Sequence, residues 1–177
     1  YLSLASPIPF LGIDEPAPLW EKTILEILSD NEDLAGYLQR LFGYSITGLV
    51  SEKVFPLLYG RTGWNGRSTI IETISYIMGD LASPIPAEML LSEKFSKSSS
   101  GPSADIMNLK GIRLAVASET DENKKFSASK IKWLTGKDKM IGRTPYDKYS
   151  TKFTPSHKLF LMTNSLPQAP PNDKAFW

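Results

Sequence analysis

Apolar positions in the first third of the chain recur with a helical period. Trp20, Ile24, Leu25, Ile27 and Leu28 fall on one face, and Ser29-Asp30-Asn31 breaks the run. The period returns from Asp33 to Phe42 through Leu34, Tyr37, Leu38, Leu41 and Phe42, with Gly43 placed as the helix cap. A short segment from Ile46 to Leu49 leads onward. Tyr37, Phe42 and Tyr44 are expected to pack between these helices rather than to stack on bases. Ahead of them, Pro7, Pro9, Pro16 and Pro18 oppose a regular helix and predict an extended lead-in over residues 1–19.

The pattern then changes. Val54 to Tyr59 is a short apolar run that reads as a strand, followed by the Gly-rich loop Gly60 to Thr69. A helix follows through Ile70, Ile71, Ile74, Ile77 and Met78, closed by Gly79. Residues 113–118 (R-L-A-V-A-S) read as a buried strand ending on Glu119, and residues 158–163 (K-L-F-L-M-T) as another ending on Asn164. Between them, Phe126 to Leu134 reads as a helix stopped by Thr135-Gly136, and Lys137 to Phe153 as a hairpin or extended loop. Lys94 to Ser103 is small and polar, expected to be a mobile loop. Pro167, Pro170 and Pro171 mark a closing loop, and no internal repeat is visible.

Composition narrows the chemistry. With 177 residues, 41% hydrophobic and 22% charged, the chain suits one globular domain that buries roughly 70% of its unfolded surface. The absence of Cys excludes disulfides, thiolate zinc sites and a cysteine nucleophile, and a single His157 excludes a His-rich metal site. No apolar run reaches the ~18 residues of a membrane span. The start, Y-L-S-L-A-S, does not read as a signal peptide, and the chain is expected to be a piece of a longer protein. The net charge of +1 is unevenly spread. From Lys124 to Lys158, ten Lys/Arg face only Asp138 and Asp147, giving +8 there and −7 elsewhere. Such a segment fits a polyanion as well as a solvated face.

Strand, Gly-rich turn and Ser/Thr at a helix start form the architecture of a phosphate-binding loop. The strict pattern is G-x4-G-K-[ST]. Here Gly60 lies one position too far before Gly66, and Arg67 stands where Lys is expected. The three strand endings (the loop, Glu119 and Asn164) have coherent chemistry, because ligands of open α/β sheets gather at the carboxyl ends of strands. Taken singly, Glu119 reads as a strand-end charge, Asn164 as a turn residue, Trp64 as a loop residue packed on its own domain, and His157 as a surface residue at a strand start. Asp121-Glu122 reads as a solvated turn, and Lys124-Lys125 as surface.

From about Trp20 onward the chain resembles the superfamily-three helicase domain of phage, plasmid and poxvirus-type primase–helicases, a branch of the AAA+ ATPases. Residues 34–48 (L-A-G-Y-L-Q-R-L-F-G-Y-S-I-T-G) are similar to the helical segment before that ATPase core. Residues 59–69 (Y-G-R-T-G-W-N-G-R-S-T) resemble its Walker A, and residues 109–120 (L-K-G-I-R-L-A-V-A-S-E-T) its Walker B. Residues 131–143 (I-K-W-L-T-G-K-D-K-M-I-G-R) and 153–167 (F-T-P-S-H-K-L-F-L-M-T-N-S-L-P) resemble its extra motif and sensor strand.

The resemblance implies an α/β fold: a P-loop, AAA+-like parallel sheet flanked by helices. A lead-in and helical segment over 1–50 would precede an ATPase core over 51–177, truncated at its C-terminal end. It implies an ATP-dependent DNA helicase acting on single-stranded DNA. Gly60, Gly63, Asn65, Gly66, Arg67, Ser68 and Thr69 would hold ATP, with Ser68 and Glu119 at Mg²⁺. Glu119 would be the Walker B acid, Ser118 standing where many AAA+ strands have Asp, and Asn164 the sensor that orients water. Arg67 would replace the family's lysine in catalysis. Lys139, Arg143 and Lys148 would touch DNA from a pore hairpin. A homo-hexamer, a primase domain upstream and a cytoplasmic setting in a bacterial, archaeal or virus-infected cell complete the expectation. The family's arginine finger would lie beyond Trp177, so this stretch alone is expected to be weakly active. The second reading is a degenerate ATPase-like module that binds nucleotide or DNA for assembly, with Arg67 as its best sign.

Overall fold

The β3–β6 pair builds the centre of the molecule. In a computed structural model describing residues 4–92, 103–118, 124–169 and 173, β3 (Leu114–Ser118) and β6 (Lys158–Thr163) lie parallel, Leu114 opposite Lys158 and Ser118 opposite Met162. The edge strand β1 (Leu57–Tyr59) pairs with β6, and β2 (Ala82–Ile85) with β3, giving a four-stranded parallel sheet in the order β1-β6-β3-β2. The expected α/β class, a P-loop-like parallel sheet flanked by helices, is what the chain forms.

Because side chains alternate along a strand, the two central strands feed two cores. Leu114, Val116 and Phe160 face one side, where Ile24 of α1 (Pro18–Ile27), Leu41 and Phe42 of α2 (Glu32–Ile46) and Ile70 and Ile71 of α3 (Arg67–Met78) cover them. Phe42 stacks on Phe160 with ring centroids 5.6 Å apart. Ala115, Ala117, Leu159 and Leu161 face the other side. There they meet Ile131 and Leu134 of α5 (Ala128–Leu134), together with Met140 of β4 (Met140–Gly142) and Phe153 of β5 (Thr151–Phe153). β4 and β5 pair antiparallel, as the hairpin expectation holds. A four-residue helix, α4 (Ala104–Met107), packs against β4, where Gly142 leaves room for the Met107 side chain.

Several expectations need correction. β2 has no period-2 signal and carries Pro84, which a sheet tolerates because β2 is an edge strand and can spare an N–H. Only Leu57–Tyr59 of the Val54–Tyr59 run pairs as a strand. Gly43 does not cap α2. The helix continues to Ile46, keeping Ser45 buried on the same face as Leu41 and Phe42, and Thr47 caps it. Pro18 begins α1 instead of preventing it, since a first-turn proline forgoes only an N–H that had no partner. α5 begins at Ala128, two residues later than expected, with the Ser127 hydroxyl accepting from Lys130 N–H. The lead-in is anchored: Ser6 Oγ donates to Ile77 O, and Pro7 fills the space that Gly79 leaves open. Tyr37 is half exposed rather than core. Lys94 to Pro102, Asp121-Glu122, Pro170 and Pro171 lie outside the described residues.

His157 is buried, not on the surface, because Pro155 and His157 turn inward as the chain enters β6. Its neighbour Lys158 is buried as well. Its ammonium donates to Thr47 O and lies 4.6 Å from the centre of the Tyr44 ring. The Arg113 guanidinium lies over Gly48, where a Cβ would stand 1.6 Å from Nη1. Two cations therefore meet the carboxyl end of α2, the end that favours positive charge. Burial, with Arg113 nearby, pulls the Lys158 ammonium down to about 8.

Desolvation pushes the His157 imidazole from 6.5 down to about 4; the Leu134 carbonyl partly offsets this and Lys158 adds to it. That carbonyl favours a proton on the ring, while neither ring nitrogen meets hydrogen-bond geometry with a partner among the described residues. The fold holds the ring neutral. Its stabilisation is complete above pH 6.5 and is lost as pH falls toward 4, where the unfolded chain takes the proton that the native one refuses. Urea unfolding at about pH 7 and about pH 4.5 should differ by up to about 3 kcal/mol from this group, and His157→Leu should remove that part of the slope.

Candidate phosphate-loop site

Three elements converge at the carboxyl edge of the sheet. A cavity of about 420 Å³ is lined by Gly63 to Thr69, by Ser118 at the end of β3, and by Met162, Thr163 and Asn164 at the end of β6. Its size suits a small-molecule ligand. The structure thus brings Gly63, Asn65, Gly66, Arg67, Ser68, Thr69 and Asn164 together as the sequence predicts. Glu119 follows directly on Ser118 but lies outside the described residues.

The loop is shaped by local rules. Gly66 adopts φ +75°, a left-handed conformation that glycine takes without penalty, and a Cβ there would strike the Ile27 side chain at 2.3 Å. Gly66 O accepts from Ile70 N–H as the first helical bond of α3, and no side chain caps the helix. The N–H groups of Arg67, Ser68 and Thr69 therefore lie ahead of that bond at the positive end of the helix dipole. The Ser68 and Thr69 side chains are exposed there. Gly60 lies outside the cavity lining. Its role is to leave room for Asn65, whose Nδ2 would be 2.0 Å from a Cβ at position 60. Asn65 Nδ2 donates to Thr62 O at 2.8 Å and folds the loop on itself.

Arg67 turns inward. Its Nε donates to Asn65 Oδ1 at 2.8 Å, and its Nη1 to Leu58 O at 3.1 Å and to Thr163 O; Nη2 donates to Asn164 Oδ1. Trp64, expected to pack on its own domain, instead stands fully in solvent at the cavity lip with φ +60°. Both shifted titratable groups, His157 and Lys158, sit at the opposite edge of the sheet. A second hollow of about 730 Å³ between α1 and α2, lined by Trp20, Ile24 and Phe42, holds none of the predicted residues.

The basic segment divides. Lys158 is buried, Lys130 Nζ donates to Leu91 O, and Lys132 pairs with Asp173 at 2.6 Å. Lys137, Lys139, Lys148 and Lys152 are exposed on or beside the β4–β5 hairpin. Arg143 is half-buried, its backbone bonded in both directions to Ser103. The sequence reading missed Tyr146 and Tyr149, both exposed in the loop joining the two strands, Tyr146 at φ +71°. The signal was available in T-P-Y-D-K-Y, aromatics interleaved with charge. Among the described residues no group of three or more His, Cys, Asp or Glu converges to hold a metal, and no helix is long and apolar enough to cross a membrane.

No family model matches the chain. It is 29% identical over 178 residues to "Putative helicase L207/L206" of Acanthamoeba polyphaga mimivirus, an alignment covering 99% of this chain and 18% of that protein. It is 28% identical over 112 residues to "Putative helicase V13" of the Sputnik virophage, covering 62% of this chain and 14% of that one. The chain thus spans less than a fifth of either relative. Its fold matches the apo A form of the NrS-1 C-terminal region with a TM-score of 0.59 at 13% identity, over 96% of this chain and 37% of that one. A second apo structure of that region, residues 305–718, gives 0.55 at 13% identity, over 90% and 40%.

The glycines of the loop should not be equivalent. Alanine at Gly66 meets both a left-handed backbone and Ile27, and should cost more than about 2 kcal/mol of stability. Nothing lies within 4 Å of a Cβ at Gly63. Gly63→Ala should therefore stay within about 0.5 kcal/mol of the parent in urea unfolding of the ligand-free protein.

Proposed function

We propose that this chain is the nucleotide-binding core of a viral helicase-type protein of the superfamily-three kind, coupling ATP hydrolysis to movement on single-stranded DNA. The observation that carries this reading is the convergence of the uncapped α3 start, the β3 end and Asn164 on one cavity. The helicase-named viral relatives support the same reading.

The residues present fit a magnesium-bound triphosphate. Helix-start N–H groups and two hydroxyls suit phosphate oxygens. Mg²⁺ commonly takes most of its ligands from phosphate and water, and one or two from protein, a demand that Ser68 and Glu119 could meet. Bound Mg-ATP would supply the phosphoanhydride and the cation that neutralises it. The chain's own part is positional: the loop seats the phosphates, and Asn164 offers an amide to orient water near them. Glu119 would hold or polarise that water from the end of β3.

The β4–β5 hairpin is the proposed DNA surface, on the face of the sheet opposite α3. Lys139, Arg143 and Lys148 would meet phosphates, and Tyr146 and Tyr149 would stack on bases. Hexamer formation, a primase domain elsewhere in the longer protein and a place in the cytoplasm of an infected cell belong to this proposal too. A second reading has a specific observation behind it. Arg67 is already occupied by protein acceptors, as in a module that binds nucleotide or DNA without efficient hydrolysis.

Titration calorimetry with Mg-ATP should give a dissociation constant near or below about 100 μM, as affinities in the usual KM range imply; absence of heat at millimolar nucleotide would remove the phosphate-loop reading. Binding of an oligo-dT strand should weaken steeply between about 50 and 200 mM salt. Tyr146→Ala with Tyr149→Ala should weaken it by about 1–3 kcal/mol per stacked base, leaving ATP binding intact.

A further inference from the structure

Arg67 is the point at which the sequence departs from a phosphate loop, and its contacts say what the departure does. A guanidinium carries five N–H donors in a rigid plane, whereas an ammonium carries three about one point. Four donations from Arg67 reach four separate places: Asn65 in the loop, the Leu58 carbonyl of β1, the Thr163 carbonyl at the end of β6, and the Asn164 side chain. Thr163 O also accepts from Gly60 N–H at 3.4 Å, so that carbonyl already ties loop to strand. Asn65 itself is fixed through Thr62 O. The result is one hydrogen-bonded network running from the loop, through the first residue of α3, to the residue that ends β6.

Resting on the nucleotide-site reading above, we infer that Arg67 is a positioning residue. It holds Asn164 and fastens the carboxyl ends of β1 and β6 to the phosphate loop, leaving the phosphates to the helix-start N–H groups and hydroxyls. Lysine at this position cannot span the four acceptors. Restoring the common phosphate-loop residue therefore loosens the site rather than repairing it.

The test is Arg67→Lys in this chain, read first without nucleotide. Loss of the network should lower the melting temperature by at least about 5 °C. It should also move the Asn164 carboxamide resonance, followed by ¹⁵N-asparagine labelling, toward its free-amide position. An unchanged melting temperature or an unmoved Asn164 signal overturns the inference. Mg-ATP affinity should fall in the variant, because the loop that seats the phosphates loses its anchor. A gain in affinity overturns the inference, since lysine would then be repairing the site. If parent and variant both fail to bind ATP, the nucleotide reading falls, while the two ligand-free readouts still judge Arg67. Should Arg67→Lys not fold, Asn164→Asp serves. A carboxylate facing the guanidinium should raise the melting temperature by a few degrees, and no rise overturns the inference.

Discussion

The register of β3 against β6 places nearly every group of consequence in this molecule. Pairing Leu114 with Lys158 sets Arg113 and Lys158 side by side at one edge, where both reach the carboxyl end of α2. The same register puts Ser118, which ends β3, beside Met162 at the other edge, two residues before Asn164. A slip of one residue would exchange the faces of the central strands. Phe160 would leave the Phe42 stack, and the alanines that let α5 approach closely would turn toward α3. The core and the candidate site are therefore one constraint seen at two places.

Local patterns carried most of the architecture. The stripes of α1, α2 and α3 and the uninterrupted apolar runs of β3 and β6 are legible because each residue's neighbours in sequence decide its environment. β2 was not, since A-S-P-I takes its strand character from Leu114–Ala117 alongside it. His157 and Trp64 were misplaced in opposite directions. A lone histidine beside a lysine looks solvated, yet both are buried. A loop tryptophan looks packed, yet a left-handed backbone holds its ring in solvent. The loop residues were legible as a group because the spacing of glycine, asparagine and serine is itself the signal. The direction in which Arg67 points was not, because two of its acceptors, at Thr163 and Asn164, belong to another part of the chain.

The basic segment shows how far charge counting reaches. Its surplus is real in sequence, but burial beneath α2, a lysine against the Leu91 carbonyl and an ion pair with Asp173 take up part of it. What stays exposed is concentrated on the hairpin, together with two tyrosines. The exposed basic surface is thus narrower than the sequence suggests, and more aromatic.

The edge strand β1 has a consequence for how the molecule comes together. Among the described residues β1 pairs with β6 alone, and the Arg67–Thr163 contact joins positions 96 residues apart. Helices α1 to α3 can find their periods from nearby sequence, but the Gly60–Thr69 loop has no paired strand before it until β6 has joined the sheet. Loop-closure entropy delays such contacts, and topology of this kind sets folding speed. Completing the cavity therefore waits on contacts of long sequence separation, and its entropy cost is the largest in the sheet.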